Sequence, residues 1–353
     1  MLTYAAHNVG LIEFDGSQPV ARGPKIAEFE KKLAAITGTR HAIAVNSGTS
    51  ALYLAVMACG LAGKRVAVPS ITFCGTANAV LMAGGTPVFA EVGMDGNIDI
   101  DWLIKHDAEW DGVIPVHYAG NLCDMEALKN IAGTRPIIAD ACHALGGFKG
   151  VEYADAACLS FHPAKQITTG EGGAILTDDE VTAFRLRCLR NNGMASVYHG
   201  GVHQNLWATA SLNFWMSDIA ASIGTKQLDK LHGWLSERKI MAARYQETLP
   251  IWAMPVVKRD GVRHYAWCMY PVLLDLEKLG IPRYGLMVEL LRREIETQIH
   301  YQPLHLQPMG KGKIGDLPVA EDFGARELTL PLHNKMGLDD VLRVCAALKE
   351  IHG

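Results

Sequence analysis

Short apolar runs alternate with longer mixed segments through the first two thirds of the chain. The runs are HAIAVN (41–46), RVAVPS (65–70), TPVFAEV (86–92), DGVIPVH (111–117), RPIIAD (135–140), ACLSF (157–161) and GAILTD (173–178), and each predicts a strand. The segments between them predict helices. PKIAEFEKKLAAITG opens on Pro24, sets Ile26, Phe29, Leu33 and Ile36 along one face, and closes at Gly38, the start and stop chemistry of a helix. Ser217 to Leu249 keeps helical spacing past the usual helix length, with Gly224 and Gly233 as candidate bends, and reads as one or two helices leading out of a large domain. Beyond Pro250, RHYAWCMYPVLL predicts a strand, RYGLMVELLRREI a helix and GLDDVLRVCAALKEIHG a terminal helix. The pattern predicts an α/β chain: a large domain over 1–245 with a mostly parallel central sheet covered by helices, then a smaller C-terminal α+β domain over 246–353.

Composition narrows the function. With 353 residues, 49% of them hydrophobic and 20% charged, the chain can bury a sizeable core. Its formal net charge of -4 argues against nucleic acid as a partner. Eight cysteines are scattered through apolar segments without a C-x-x-C pair, which predicts core thiols in a reducing compartment. The first residues lack a basic leader pattern, and the longest apolar stretch, ALYLAVMACGLAG, stops at Lys64 and Arg65, well short of a membrane span. A cytoplasmic protein is therefore expected. Neither an H-E-x-x-H motif nor a Cys/His cluster with ligand spacing occurs among the 14 histidines, so metal catalysis finds no support.

In an open α/β sheet, ligands sit where strands end, and four strand exits carry chemistry here. After the first run comes Asn46-Ser47-Gly48-Thr49-Ser50 and then a helical segment, a turn that suits a phosphate at a helix N-terminus and equally suits an ordinary N-cap. Asp140 ends a run that reads as buried on both faces, and a buried carboxylate needs a cation or a protonated nitrogen. It could instead cap a helix over ACHALGG, a reading that gives His143 no role. Lys165 follows Ser160, Phe161, His162 and Pro163 directly off a strand, and a lysine kept from free water can attack an aldehyde. Thr168, Thr169, Gly170, Gly172 and Gly173 then form a turn of little bulk that leaves room for a flat ligand. Phe73 stands at the fourth exit, where it could cover a ring or belong to the core. An anion cradle, a carboxylate for a ring nitrogen, an aromatic cover and an aldehyde-trapping lysine are the parts that pyridoxal phosphate requires.

Seven blocks in order, GPKIAEFEKKLAAITGTRHAIAVNSGTSAL, VPSITFCGTANAV, GVIPVHYAG, ADACHALGG, SFHPAKQITTGEGGAILT, LNFWMSDIAASIGTKQL and HYQPLHLQPM, resemble the DegT/DnrJ/EryC1/StrS family of PLP-dependent nucleotide-sugar aminotransferases. The resemblance implies fold type I, pyridoxal 5'-phosphate as cofactor, and amino transfer from L-glutamate to a nucleotide-linked keto sugar in amino-sugar or surface-polysaccharide biosynthesis. It makes Lys165 the lysine that binds the cofactor's aldehyde and Asp140 the partner of its ring nitrogen. Gly48, Thr49 and Ser160 match phosphate-binding positions, His143 the position at the ring hydroxyl, and Phe73 the aromatic stacked on the ring. Asn213 matches an asparagine that reaches the phosphate of a neighbouring subunit, implying a homodimer with shared active sites. His162 and Tyr301 match positions near the reacting sugar.

The chain departs from the family in Trp215, where an arginine is usual, in His143, where glutamine is commoner, and in VARGP before the first helix. Histidine at 143 resembles the branch that makes 4-amino sugars for pseudaminic acid, which points to a UDP-linked 4-keto-6-deoxy-N-acetylhexosamine. A dehydratase branch carries histidine at the lysine position, and Lys165 argues against it. A cofactor-binding regulator without turnover predicts decay of the constellation, whereas Lys165, Asp140, Ser160 and Asn213 are all present.

Overall fold

A computed structural model describes residues 23–148, 150–151, 153–199, 202–257 and 266–352. The VARGP approach, through Arg22, and the first residues of the RHYAWCMYPVLL segment lie outside the described residues.

The apolar runs all become strands of one sheet: β1 (His41–Val45), β2 (Arg65–Pro69), β3 (Thr86–Ala90), β4 (Gly112–Val113), β5 (Ile138–Asp140), β6 (Ala156–Ser160) and β7 (Gly173–Thr177). Hydrogen bonds order them 3-2-4 and 1-7-6-5. Parallel bridges Val113–Ile137 and Val116–Asp140 join β4 to β5, giving 3-2-4-5-6-7-1 across the sheet. Only β7 runs against the rest, so the expected mostly parallel sheet holds. The 111–117 run supplies only two strand residues, because Pro115 has no N–H to give a ladder.

Helices cover both faces: α1 (Pro24–Thr37), α2 (Gly48–Ala58), α3 (Cys74–Met82), α4 (Ile100–Lys105), α5 (Met125–Ala132) and α6 (Glu180–Arg190). The α1 helix buries Ile26, Phe29 and Leu33 and stops at Gly38, which adopts φ 73°. A hairpin of β8 (Met194–His199) and β9 (Val202–Trp207) follows α6. The long helical segment divides into α7 (Asp218–Leu228) and α8 (Leu231–Thr248), breaking at Asp229–Lys230 rather than at either glycine. Gly224 lies inside α7, where an added Cβ would stand 2.6 Å from Phe29 Cε2; it lets α1 and α7 cross closely.

The chain ends in β10 (Ala253–Pro255), β11 (Tyr270–Leu274), α9 (Leu276–Leu279), α10 (Arg283–Arg292), α11 (Pro318–Arg326), β12 (Glu327–Leu330) and α12 (Leu338–His352). Strands β10, β11 and β12 form a second, antiparallel sheet. Two buried charges tie this part to the elements before it. Glu91, just past β3, accepts hydrogen bonds from Val319 N at 3.0 Å and Ala320 N at 2.7 Å, capping α11 from a distance. Arg238, 1% exposed on α8, donates to the carbonyls of Trp267, Cys268 and Leu332, each at 3.0 Å, and to Asn334 Oδ1 at 2.7 Å. Arg238→Met keeps the apolar stem but strands those acceptors away from water. A loss of about 3 kcal/mol or more is expected, read as a lower urea midpoint at unchanged slope.

The eight cysteines are all free. Five are buried as expected of core thiols, but Cys74 is exposed and Cys142 lines a cavity. No helix among the described residues is long and apolar enough to cross a membrane.

Candidate active site

A cavity of about 610 Å³ opens where β1, β2, β5 and β6 end. Of the ten residues singled out from the sequence, Gly48, Thr49, Phe73, Asp140, His143, Ser160, His162, Lys165 and Tyr301 line it. Asn213 does not. It sits on the exposed surface beyond α6, its Oδ1 accepting from Trp215 N at 3.2 Å. Trp215 is also outside the cavity: its indole N–H donates to Asn191 Oδ1, and the Arg190 guanidinium lies 3.7 Å above its ring.

Lys165 owes its place to the apolar residues around it. Phe161 and Ile167 are fully buried, Phe161 packing edge-on against Phe29 at 5.3 Å, so the bend between them must turn toward the strand ends. The Lys165 N–H closes that bend on the His162 carbonyl at 2.9 Å. Its side chain is half-buried, and its ammonium makes no hydrogen bond or ion pair with a described residue.

Asp140 is 5% exposed at the end of β5. Thr76 Oγ1 donates to its Oδ2 at 2.8 Å and Cys142 N to its Oδ1 at 3.1 Å. No cation among the described residues lies within ion-pair distance. The segment after it is a series of turns and not a helix, so the capping alternative is overturned. Burial, then Asp140, raises the Cys142 thiol well above its ordinary range and keeps it protonated.

The opposite wall begins at the N-terminus of α2. Ser47 is indeed an N-cap, its Oγ accepting from Ser50 N at 3.0 Å. The cradle next to it exists because residue 48 is glycine: a Cβ there would stand 2.8 Å from Ser160 Cβ and 3.3 Å from Cys142 Sγ. Helix dipole, free N–H groups and the Thr49 and Ser160 hydroxyls converge on this point, a place for a phosphate.

The aromatic side contains a surprise. Phe73 is 56% exposed and so is not a core residue; it faces Tyr301 at 6.2 Å. Tyr301 lies nearly parallel to His143, 14° between planes, with its hydroxyl 3.4 Å from His143 Nε2. Burial, then Lys165, then His300 push the proton affinity of His143 well down, so the ring is neutral. Its buried Nδ1 has no hydrogen-bond partner among the described residues.

One expectation fails. The turn after Lys165 does not open space for a ligand, because its hydroxyls close on its own backbone. Thr168 Oγ1 donates to Phe161 O at 2.9 Å and Thr169 Oγ1 to Glu171 O at 2.7 Å, and only Glu171 of this turn lines the cavity. A short connection between antiparallel strands must satisfy its own buried carbonyls first. Sequence reading also missed Thr76, Cys142 and His300. Thr76 stands one helical turn past Phe73, and His300 adjoins Tyr301, so neighbouring positions offered the only signal.

The site fits pyridoxal phosphate on its own terms. A buried carboxylate and an amine, neither with an ion-pair partner among the described residues, share one cavity with a cradle that a Cβ would fill. No group of three or more His, Cys, Asp or Glu side chains among the described residues could hold a metal ion.

Comparison with known proteins agrees. A UDP-4-amino-4,6-dideoxy-N-acetyl-beta-L-altrosamine transaminase of Campylobacter jejuni is 34% identical, covering 96% of this chain and 94% of its own. Helicobacter pylori PseC, an aminotransferase involved in the biosynthesis of pseudoaminic acid, superposes with a TM-score of 0.88 at 26% identity, covering 99% of both chains. Spr1654 of Streptococcus pneumoniae, solved in PLP and PMP forms, gives a TM-score of 0.87 in each; the PLP form is 27% identical and covers 95% of this chain and 93% of its own. Those folds are fold type I PLP aminotransferases, as the sequence resemblance implied. The profile of the DegT/DnrJ/EryC1/StrS aminotransferase family matches residues 6–349, and the chain therefore belongs to that family and is an aminotransferase.

Proposed function

We propose that the enzyme uses pyridoxal 5'-phosphate to move an amino group from L-glutamate to a nucleotide-linked keto sugar, with a UDP-linked 4-keto-6-deoxy-N-acetylhexosamine as acceptor. The observation that carries this reading is Asp140, a buried carboxylate with no cation among the described residues within ion-pair distance, in the cavity that Lys165 lines. The sugar rests on the UDP-linked 4-amino sugar named for the Campylobacter relative, which amination of such a keto sugar would yield, and on the biosynthesis named for PseC.

When bound, the cofactor supplies an aldehyde for an amine to attach to and a protonated ring that draws electrons from the breaking bond. Lys165 would hold the aldehyde and, once released, use its Nζ to take and return the proton of the donor's α-carbon. Asp140 keeps the ring nitrogen protonated. Gly48, Thr49 and Ser160 bind the phosphate, Phe73 covers a ring face, and neutral His143 serves the ring hydroxyl. His162 and Tyr301 stand at the sugar. Asn213, exposed on the surface, completes the phosphate site of a second copy in a cytoplasmic homodimer with shared active sites. Residues 1–245 act as the cofactor domain and 246–353 as the smaller one.

The test is the near-ultraviolet and visible spectrum of the purified protein with pyridoxal phosphate, before and after L-glutamate. The band of the lysine-bound aldehyde should appear and convert to that of the amine form, and UDP-linked keto sugars should reverse it. A band that ignores glutamate and other amino donors would identify a sensor and overturn the reading.

A further inference from the structure

Behind the cavity lies a chain of hydrogen bonds that the reaction outlined above does not use. His300 lines the cavity, and its Nδ1 is 2.9 Å from Thr329 Oγ1. That hydroxyl is 2.5 Å from Glu327 Oε1, while Glu327 Oε2 accepts the backbone N–H of His300 at 2.6 Å. Glu327 and Thr329 are fully buried, two residues apart and hence on one face of β12. Neither lines the cavity. The His300 carbonyl accepts the Tyr118 hydroxyl, so the residue is held at N–H, C=O and Nδ1 together.

The Thr329 hydroxyl has one proton and two strong polar neighbours, with the weakly accepting Met269 Sδ 3.9 Å away. When Glu327 is ionised, Thr329 must donate to the carboxylate and accept from His300, whose proton then sits on Nδ1. When Glu327 is protonated, its O–H donates to Thr329 and Thr329 donates to Nδ1, so the imidazole proton sits on Nε2. We propose that Glu327, acting through Thr329, sets the tautomer of His300 and thereby decides whether Nε2 is a hydrogen-bond donor or an acceptor. Glu327 and Thr329 are positioning residues.

The surrounding charges fit a change of tautomer rather than of ring charge. Burial, then Lys165, push His300 down to about 3, so the imidazole stays neutral. Burial pushes Glu327 up to about 8, against the hydrogen bonds from Thr329 and His300 and the charge of Arg283. Arg283, on α10, donates to the Glu327 carbonyl at 2.8 Å. His143 and Tyr301 flank the network on the cavity side, and Tyr118 borders it at the His300 carbonyl. On the aminotransferase reading, the donor form suits a keto or hydroxyl oxygen of a sugar; that consequence rests on the reading, and the tautomer does not.

The test is NMR of the full chain with ring-15N-labelled histidine and no sugar, titrated from below to above pH about 8, with His300 assigned by its loss in His300→Asn. The two ring-nitrogen resonances of His300 should exchange roles across the titration. Glu327→Gln, whose amide donates to Thr329 and whose oxygen accepts His300 N–H, should hold the Nε2–H form throughout. Thr329→Ser should keep the exchange and Thr329→Val should lose it, a comparison that stands even if the glutamine variant fails to fold. Stability gives a second readout. Between 4.5 and about 8 only the folded chain retains the Glu327 proton, so stability should fall as pH rises through that window, and Glu327→Gln should lack the fall. A wild-type tautomer that ignores pH, or a glutamine variant that titrates as wild type does, would overturn the proposal.

Discussion

Lys165→Ala should fold as the wild type does and lose turnover by about 10⁴-fold or more. Among the described residues the lysine is the only amine lining the cavity, and its ammonium has no partner. Its removal breaks no hydrogen bond or ion pair with a described residue, so the melting temperature should move little. Neither buried imidazole of the cavity can substitute. His143 and His300 both line the cavity, but burial, the larger cause in each and one that the variant keeps, holds them below the range in which an imidazole takes a proton near neutrality. Lys165→Arg tests the alternative that only positive charge is needed: a guanidinium restores charge without a nucleophile and should be as inactive. The spectrum of added pyridoxal phosphate should show no lysine-bound band in either variant. A variant that turns over at more than a hundredth of the wild-type rate would remove Lys165 from the reacting centre.

The parts of this site differed in how readily the sequence disclosed them, and the difference is physical. The core strands announced themselves because a strand buried on both faces must be apolar along its length, and Lys165, Asp140 and Gly48 could then be placed as the first unusual residues after each. The β8–β9 hairpin gave no such signal. Residues 204–207 are exposed, and a strand without a buried face has no alternation to detect. The break between α7 and α8 was misplaced for another reason. Gly224 serves a close helix crossing and not a bend, and its contact with Phe29 comes from nearly 200 residues away. Long-range pairing also hid the polar supports. Thr76 meets Asp140 across 64 positions, Glu91 meets Ala320 across 229, and Arg238 gathers carbonyls from two distant loops. Local pattern cannot signal a partner that only the topology of the sheet brings near.

Asp140→Asn should push two properties in opposite directions. Asparagine has nearly the same shape and can still accept from Cys142 N while turning its amide toward the Thr76 hydroxyl, so the native packing is retained. In the protein without cofactor, the wild type keeps a carboxylate 5% exposed and without a cation among the described residues, at a cost in solvation. The neutral amide relieves that cost, and the cofactor-free variant should melt at the same temperature as wild type or higher. Binding should move the other way. Removing one member of a buried ion pair costs about 3–5 kcal/mol. At 1.4 kcal/mol per factor of ten, pyridoxal phosphate affinity should fall by about 10² to 4 × 10³, with turnover falling at least as far. Differential scanning fluorimetry and a cofactor titration on the same preparations measure both. If stability and affinity fall together, Asp140 is a structural residue and the cofactor's ring nitrogen has another partner. If stability holds while affinity collapses, the carboxylate is kept buried at the expense of the empty fold, which makes sense only for a group whose partner arrives with the ligand.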